Sequence, residues 1–243
     1  MKKNYYYDLH MHSCLSPCGD DDMTPNNIAG MGVVAKLDIM ALTDHNSCRN
    51  TPSFCKAARE NGIVPIPGME LTTAEEIHLV CLFPSVESAL AFNDFVDTKR
   101  IMFMNRIDIF GHQYLMDEKD EIIGEEDYLL PNATMITVDE APAKVREYGG
   151  VCYPAHIDRE ANGIIATLGT FPRDPFFPCA ELHDEDRADE FKEKYPVLAE
   201  KPFVFSSDAH YLWDINGRLN CIELDCEENE ESIRKALINK LSG

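Results

Sequence analysis

Repeatedly along this chain, a short apolar run stops at a histidine, an aspartate or a glutamate. Tyr5 to Leu9 leads into His10-Met11-His12, and Leu37 to Thr43 into Asp44-His45. Ile63 to Pro67 leads into Gly68-Met69-Glu70, and Val151 to Tyr153 into Pro154-Ala155-His156. Phe203 to Phe205 leads into Ser206-Ser207-Asp208-Ala209-His210. Apolar runs this short, rich in β-branched and aromatic residues, read as buried strands. Strand alternating with helix argues for a parallel sheet or barrel. In a parallel barrel all strands end on one face, and that face carries the active site. The polar residues after the strands are therefore expected to meet.

The stretches between the runs carry helix punctuation. Thr24-Pro25 opens a helix expected to reach Met31 and stop at Gly32. Thr51-Pro52 opens another, stopped by Asn61-Gly62. Ile77 to Phe83 is a strand containing His78, and Ser85 begins a long helix expected to reach about Arg106. A helix capped by Thr137 or Asp139 ends at Gly149-Gly150, and one capped by Asn229 closes the chain. Arg187 to Tyr195 is helical, and Cys179 to Leu182 and Cys221 to Leu224 are strands. From 107 to 132 the pattern loosens and turns acidic, too short a stretch to carry its own core, and reads as an insertion. The 243 residues are expected to form a single domain, 1–243, of α/β class.

Charge narrows the partners. There are 43 acidic against 22 basic residues, a formal net charge of −21. That disfavours long nucleic acid and an anionic membrane surface as partners. No apolar run approaches the roughly 18 residues of a membrane span, and the N-terminus has no signal-like apolar region, so a cytoplasmic protein is expected. The nine scattered cysteines then read as reduced thiols, mostly small core residues. Cys14 and Cys18 in the first loop have no second pair at zinc-ribbon spacing.

In the first strand, taken as Tyr5 to Met11, side chains alternate with period 2, so Asp8, His10 and His12 share a face. Asp208 and His210 repeat that spacing. A lone histidine is more often a hydrogen-bonded core or surface residue than a ligand, and His112 and His183 fall in that class. The remaining histidines with Glu70 and Asp208 form a set. Imidazole with carboxylate suits Zn²⁺, Mn²⁺ or Fe, and so many histidines argue against a purely Mg²⁺ or Ca²⁺ site. At three or four ligands per ion, the supply serves two or three divalent ions.

Several motifs carry a family resemblance: Asp8-Leu9-His10-Met11-His12-Ser13, Asp20 before Met23-Thr24-Pro25, Leu42-Thr43-Asp44-His45-Asn46, Pro67-Gly68-Met69-Glu70, His78, Pro154-Ala155-His156 and Ser207-Asp208-Ala209-His210. In their order the chain resembles the PHP (polymerase and histidinol phosphatase) superfamily of metal-dependent phosphoesterases. The resemblance implies a distorted, TIM-like (β/α)7 barrel and a trinuclear centre. It assigns His10, His12 and Asp208 to one metal, with Glu70 bridging to a second held by His78 and His156. It assigns Asp20, His45 and His210 to a third, although the loop before Asp20 is longer than the family pattern and Asp21 or Asp22 are alternatives. Asp8 and Asp44 read as groups that orient a ligand.

Glu70, Asp208 and His210 are the residues expected at the reaction centre. The activity implied is hydrolysis of a small phosphomonoester, such as a nucleotide or nucleoside bisphosphate, by hydroxide generated on adjacent ions about 3.5–4 Å apart. Arg159 and Arg218 are candidates to grip the phosphate. Tyr211 and Trp213 are expected to pack the barrel rim rather than stack on a base. The competing readings are a 5′-3′ exonuclease on short oligonucleotides, an amidohydrolase-like C–N hydrolase, and a metal-loaded regulatory module without turnover. The C–N hydrolase would want a carbamylated lysine where Glu70 stands.

Overall fold

The computed structural model describes residues 2–243. In chain order the elements are β1 (Lys2–Asp8), α1 (Pro25–Ala35), β2 (Ile39–Leu42), α2 (Thr51–Glu60), β3 (Val64–Thr72), β4 (His78–Leu82) and α3 (Val86–Asp97). Then come α4 (Ile107–Phe110), β5 (Tyr114–Met116), β6 (Ile122–Glu125), α5 (Ala141–Glu147), β7 (Val151–Pro154) and α6 (Ile164–Leu168). The chain closes with β8 (Ala180–Glu181), α7 (Ala188–Lys194), β9 (Phe203–Val204), β10 (Cys221–Asp225) and α8 (Glu230–Ser242).

Six strands form one curled sheet in the order β10-β1-β2-β3-β4-β7, and β8 and β9 pair separately. Two links complete the ring. Ile157 after β7 donates to Glu181 of β8 at 2.9 Å, and Met11 beyond β1 bridges Ala209 beyond β9 in parallel. The result is the distorted, TIM-like α/β barrel expected. The expectation of uniformly parallel strands is corrected. β3 and β4 are an antiparallel pair joined by a tight turn in which Glu76 has φ +62°, and β7 is antiparallel to β4. Five residues between strands leave no room for a crossover helix. The reversal puts His78, at the start of β4, opposite Thr72 at the end of β3, so His78 reaches the same face as Glu70.

Burial follows the two faces of each strand. Ile39 and Ala41 of β2 and Val80 and Leu82 of β4 point into the barrel, where Ile233, Leu237 and Leu241 of α8 join them. Met40 and Leu42 point outward under α1 and α2, while Leu79 and Cys81 point outward under α3 and α5. Gly32 does not end α1. The helix continues to Ala35, and Lys36 takes the left-handed cap at φ +58°. A Cβ on Gly32 would lie 2.1 Å from the Met40 sulfur, so the glycine instead lets the helix press onto β2. Thr24 caps α1 and Asn229 caps α8, as expected.

The helix after Ser85 is shorter than expected, ending at Asp97. From there the chain runs extended, with Arg100 bridging Thr134 and Met104 bridging Tyr128. Buried Arg100 pulls it off the helix path: its guanidinium donates to the Tyr128 carbonyl at 2.9 Å and pairs with Glu126 at 3.3 Å. The acidic stretch 107–132 holds α4 and the β5-β6 hairpin. Asn50 ties the hairpin down, donating to the Tyr114 carbonyl at 3.0 Å and accepting from Met116 N–H at 2.9 Å. No helix among the described residues is long and apolar enough to cross a membrane.

Candidate metal centre

The centre forms where β1, β2, β3, β7 and β9 run out, and its first wall is a correction to strand periodicity. β1 ends at Asp8, before either histidine. Tyr5, Tyr7 and Leu9 pack inside the barrel, but Met11, which should follow them, packs outside with Met40 and Leu42. The period therefore breaks at Leu9–His10. His10 and His12 converge because Met11 is gripped on both backbone groups: its N–H donates to Thr43 Oγ1 at 3.1 Å and its carbonyl accepts from Thr43 N–H at 2.9 Å. Asp8 faces elsewhere. Its carboxylate accepts from Ser207 N–H at 3.0 Å and Asn216 N–H at 3.2 Å, stitching the ends of β1 and β9.

Glu70 is the hub. Five imidazole nitrogens surround its carboxylate: His78 Nδ1 at 2.8 Å, His45 Nδ1 at 2.9 Å, and His10, His12 and His156 Nε2 at 3.3 Å each. Asp208 Oδ1 lies 3.2 Å from His12 Nε2 and 3.3 Å from His10 Nε2. All seven residues are buried, from 0 % exposed at His10 and His12 to 9 % at His78. Hydrogen bonding does not satisfy this packing. His45 Nδ1 and Glu70 Oε2 complete no hydrogen bond, and neither does His156 Nδ1. His10 Nε2 faces His12 Nε2 at 3.3 Å, lone pair toward lone pair unless one is protonated. Unpaired buried polar atoms are costly. Divalent cations among these donors would satisfy them, so the residues fit metal. The ligand atoms fall into three close groups: His10, His12 and Asp208; His45, Glu70 and His78; and His12, Cys18, His45 and His210.

The electrostatics fit the same reading. Burial disfavours the Glu70 carboxylate, but the His78, His10 and His45 imidazoles outweigh it and hold it well below its ordinary range. Asp208 is likewise held low by His10 and His12 against its burial. Burial also opposes a charged His10, yet Glu181, Asp208 and Glu70 raise it well above the ordinary value. His12 goes the other way, lowered by burial and by His45 and His210. Without metal, protons carry the positive charge these carboxylates require, and a cation would displace them.

Supporting groups fix the ligands. Glu181, 1 % exposed, accepts from His10 Nδ1 at 2.9 Å and from His156 N–H at 3.1 Å. That bond leaves His10 Nε2 to face the site, the usual carboxylate–histidine–metal arrangement. Sequence reasoning missed Glu181. Its only signal was an acidic residue inside the apolar run Cys179 to Leu182. Asp44 works through a relay: it accepts from Ser13 and Ser16 hydroxyls at 2.7 and 2.8 Å, and Ser16 Oγ lies 3.1 Å from His12 Nδ1. Burial pushes both Asp8 and Asp44 up to about 6. His156 and Asp208 have left-handed backbone, φ +28° and +52°, a strain that clusters at functional sites.

The PHP domain family model matches residues 8–137, more than half of the chain. The chain belongs to the PHP family. His156, Asp208 and His210 reach the centre from outside the matched segment. No curated protein matches the sequence. Among solved structures, the lesion-specific endonuclease Q of Pyrococcus furiosus superposes with a TM-score of 0.65 at 21 % identity, over 99 % of this chain and 57 % of its own. Endonuclease Q in complex with a 27-mer duplex carrying an abasic lesion gives 0.65 at 20 %, over 99 % and 58 %. A candidate metal-dependent phosphoesterase from Bifidobacterium adolescentis gives 0.54 at 16 %, over 95 % of both chains. This chain thus spans somewhat over half the length of the endonuclease Q chains.

The rim of the PHP centre differs from the sequence reading. Asp20 does not bring its carboxylate into any of the three ligand groups; it accepts from Asp22 N–H at 3.0 Å, while its own N–H donates to the His210 carbonyl at 2.9 Å. Asp21 and Asp22 are exposed and also outside the groups. Cys18 stands in the third group instead. His45 serves the second and third groups, and His156, outside all three, lies 3.3 Å from Glu70 and has ring contacts with His10 and His78.

An open cleft of about 630 Å³ lies over the centre, lined by Cys18, Arg159, His183, Asp208, His210 and Tyr211 among others. Arg159 reaches it, one nitrogen on Asp208 Oδ2 and another 2.9 Å from His183 Nδ1. Arg218 does not. Its guanidinium stacks 3.8 Å over the Tyr6 ring, outside the cleft lining. Trp213 does not pack the rim: it is 75 % exposed and stacks on Tyr211 with centroids 5.0 Å apart. His112 stacks on Tyr114 and bonds Glu125 at 2.9 Å, away from the ligand groups.

Proposed function

We propose that this chain hydrolyses the phosphomonoester of a small, nucleotide-like substrate bound in the cleft lined by Asp208 and His210. The observation that carries the reading is one cleft lined by Asp208, Cys18 and His210 of two ligand groups, an arginine–histidine pair and an exposed aromatic ring. Two or three divalent ions, Zn²⁺, Mn²⁺ or Fe²⁺, would supply Lewis-acid charge and a water acidic enough to attack near neutral pH. Glu70, His10, His12 and Asp208 form the floor that positions them, and Glu181 orients His10.

The side chains over the floor set orientation. Arg159 presents a planar fork, and a phosphate dianion competes with Asp208 for it. His183 and His210 line the cleft and are within its reach to protonate a leaving oxygen. Tyr211, 40 % exposed beside Trp213, offers a face for a base.

Size and charge favour a small substrate. The cleft's cationic side chains are Arg159 and, when protonated, histidine, and the chain carries −21. A long duplex would meet little to neutralise its phosphates. The likeness to endonuclease Q supports a second reading, cleavage within a nucleic acid, at 21 % identity and 57 % of that chain's length.

The test is a hydrolysis screen with Zn²⁺- or Mn²⁺-loaded protein over nucleotides, nucleoside bisphosphates, sugar phosphates, 5′-phosphorylated short oligonucleotides and a duplex with an abasic site. Phosphate release from a nucleotide-like monoester is the expected result. Cleavage of the duplex with no phosphate release from any monoester would replace this reading by the second. Inactivity of the loaded protein on every phosphoester would favour the metal-loaded regulatory module.

A further inference from the structure

The rim loop brings a thiol, not a carboxylate, to the third group of ligand atoms. His12, Cys18, His45 and His210 each offer one such atom, all within 4.8 Å of one another. The presentation of Cys18 is built. Ser16 N–H donates to the Ser13 carbonyl at 3.0 Å, Gly19 N–H to the Ser16 carbonyl at 2.8 Å, and Asp20 N–H to the His210 carbonyl at 2.9 Å. The turn requires glycine at 19, where a Cβ would lie 2.6 Å from the Ser13 carbonyl oxygen. The loop is thus pinned on both sides of Cys18, one side to a residue of the same group.

A second observation points to a ligand. His45 is 5 % exposed, and its Nδ1, although 2.9 Å from Glu70 Oε2, completes no hydrogen bond. The His12 ring lies 4.5 Å from both the His45 and His210 rings, so three imidazoles crowd one small volume. His12 is already committed to the floor, with Nε2 3.2 Å from Asp208. His210 and Cys18 are left to serve the outer position, with His45 shared between it and Glu70.

We propose that Cys18 binds a metal ion there as a thiolate, with His45 and His210, so that a soft donor takes the place the family pattern gives to an aspartate. This rests on the reading that the centre binds metal. On binding, the S–H bond breaks, its proton leaves to solvent, and a sulfur–metal bond forms; no electron changes hands. Thiolate with imidazole favours Zn²⁺, Co²⁺ or Fe²⁺ over Mn²⁺ and Mg²⁺, which prefer oxygen donors. The outer position therefore selects the metal.

The test uses the full chain loaded with Co²⁺ and, separately, with Zn²⁺. Wild type is expected to show a thiolate-to-Co²⁺ charge-transfer band in the near ultraviolet and a Zn–S distance of about 2.3 Å by X-ray absorption. C18S and C18D should lose both while keeping the Zn–N/O distances, and C221S, at an exposed thiol of β10, should keep both. C18S should weaken the weakest Zn²⁺ site on the order of 100-fold, the upper end of the loss for a group that merely supports a ligand. C18D, which restores a charged donor, should recover binding with a preference shifted toward Mn²⁺ by about tenfold or more.

A fully loaded wild type without a Zn–S distance would overturn the proposal and leave the metal centre standing. A Zn–S distance that persists in C18S would overturn it by assigning the sulfur to another cysteine. Failure of wild type and C18D alike to bind any metal would bring down the underlying reading as well.

Discussion

His10, His12, Glu70 and Asp208 lie 0–8 % exposed at strand ends, whereas Cys18, Arg159, His183 and Tyr211 sit on loops and reach solvent. The floor is positioned by backbone pairing: Met11 with Thr43, Glu70 with His45, Met11 with Ala209. The rim is positioned by turns, one tight glycine and a few side-chain bonds. Floor geometry is inherited from the barrel, so it tolerates little change. Rim geometry is set locally and can change a donor, as Cys18 for aspartate, without disturbing a strand. In the proposed reading, metal capacity belongs to the floor, while metal choice and substrate fit belong to the rim.

The comparison is most easily broken at the floor. His12→Ala or Asp208→Ala should remove the first ligand group and lower turnover by more than about 100-fold, beyond the range for loss of a supporting group. Metal content, read by elemental analysis, should fall with it. An active, fully loaded D208A would mean the floor is misassigned. Next comes Glu181→Gln, which keeps the shape but weakens the charge behind His10. Metal affinity should drop about 10- to 100-fold by titration with a competing chelator. An unchanged affinity would show that Glu181 only packs.

Acidity probes the same region. His10 and His156 are raised in the metal-free protein, so their stabilising ion pairs are complete below pH 6.5 and lost as pH rises through their folded values. Glu70 and Asp208 are depressed, so their contribution is present above 4.5 and 3.8 and lost as pH falls through their folded values. Metal must displace the His10 proton. Apparent affinity should therefore climb about tenfold per pH unit for each proton displaced, between roughly pH 6 and 8. Calorimetry in buffers of different ionisation enthalpy counts those protons, and none released would contradict the ion-pair picture. The smallest effect is reserved for His112→Ala, on an exposed hairpin away from the ligand groups, where turnover and metal content should stay at wild-type levels.

Legibility in the sequence follows the same division. His10, His12 and Asp208 follow a strand, and Glu70 lies near the end of β3, where strand punctuation and chemistry mark them without knowledge of the partner strand. The register carrying them was less visible. His10 and His12 converge through a break at Leu9 that periodicity does not encode, and His78 arrives by a reversed strand whose turn is only five residues long. Glu181 was illegible because β8 is two residues long, too short for a pattern. The exchange of Asp20 for Cys18 was illegible because loop geometry depends on hydrogen bonds to distant carbonyls such as that of His210. The end of α3 at Asp97 was hidden for the same reason: Arg100 finds its partners at 126 and 128.

The central claim is that Glu70 and its five imidazoles are a polynuclear metal centre rather than a buried network of protonated histidines. The most direct measurement is anomalous diffraction at the zinc edge from Zn²⁺-reconstituted crystals, with metal per chain counted on the same sample. Two or three ions are expected among His10, His12, Glu70, His45 and Asp208. Anomalous density absent from that volume, with less than one ion per chain at saturating Zn²⁺, would contradict it.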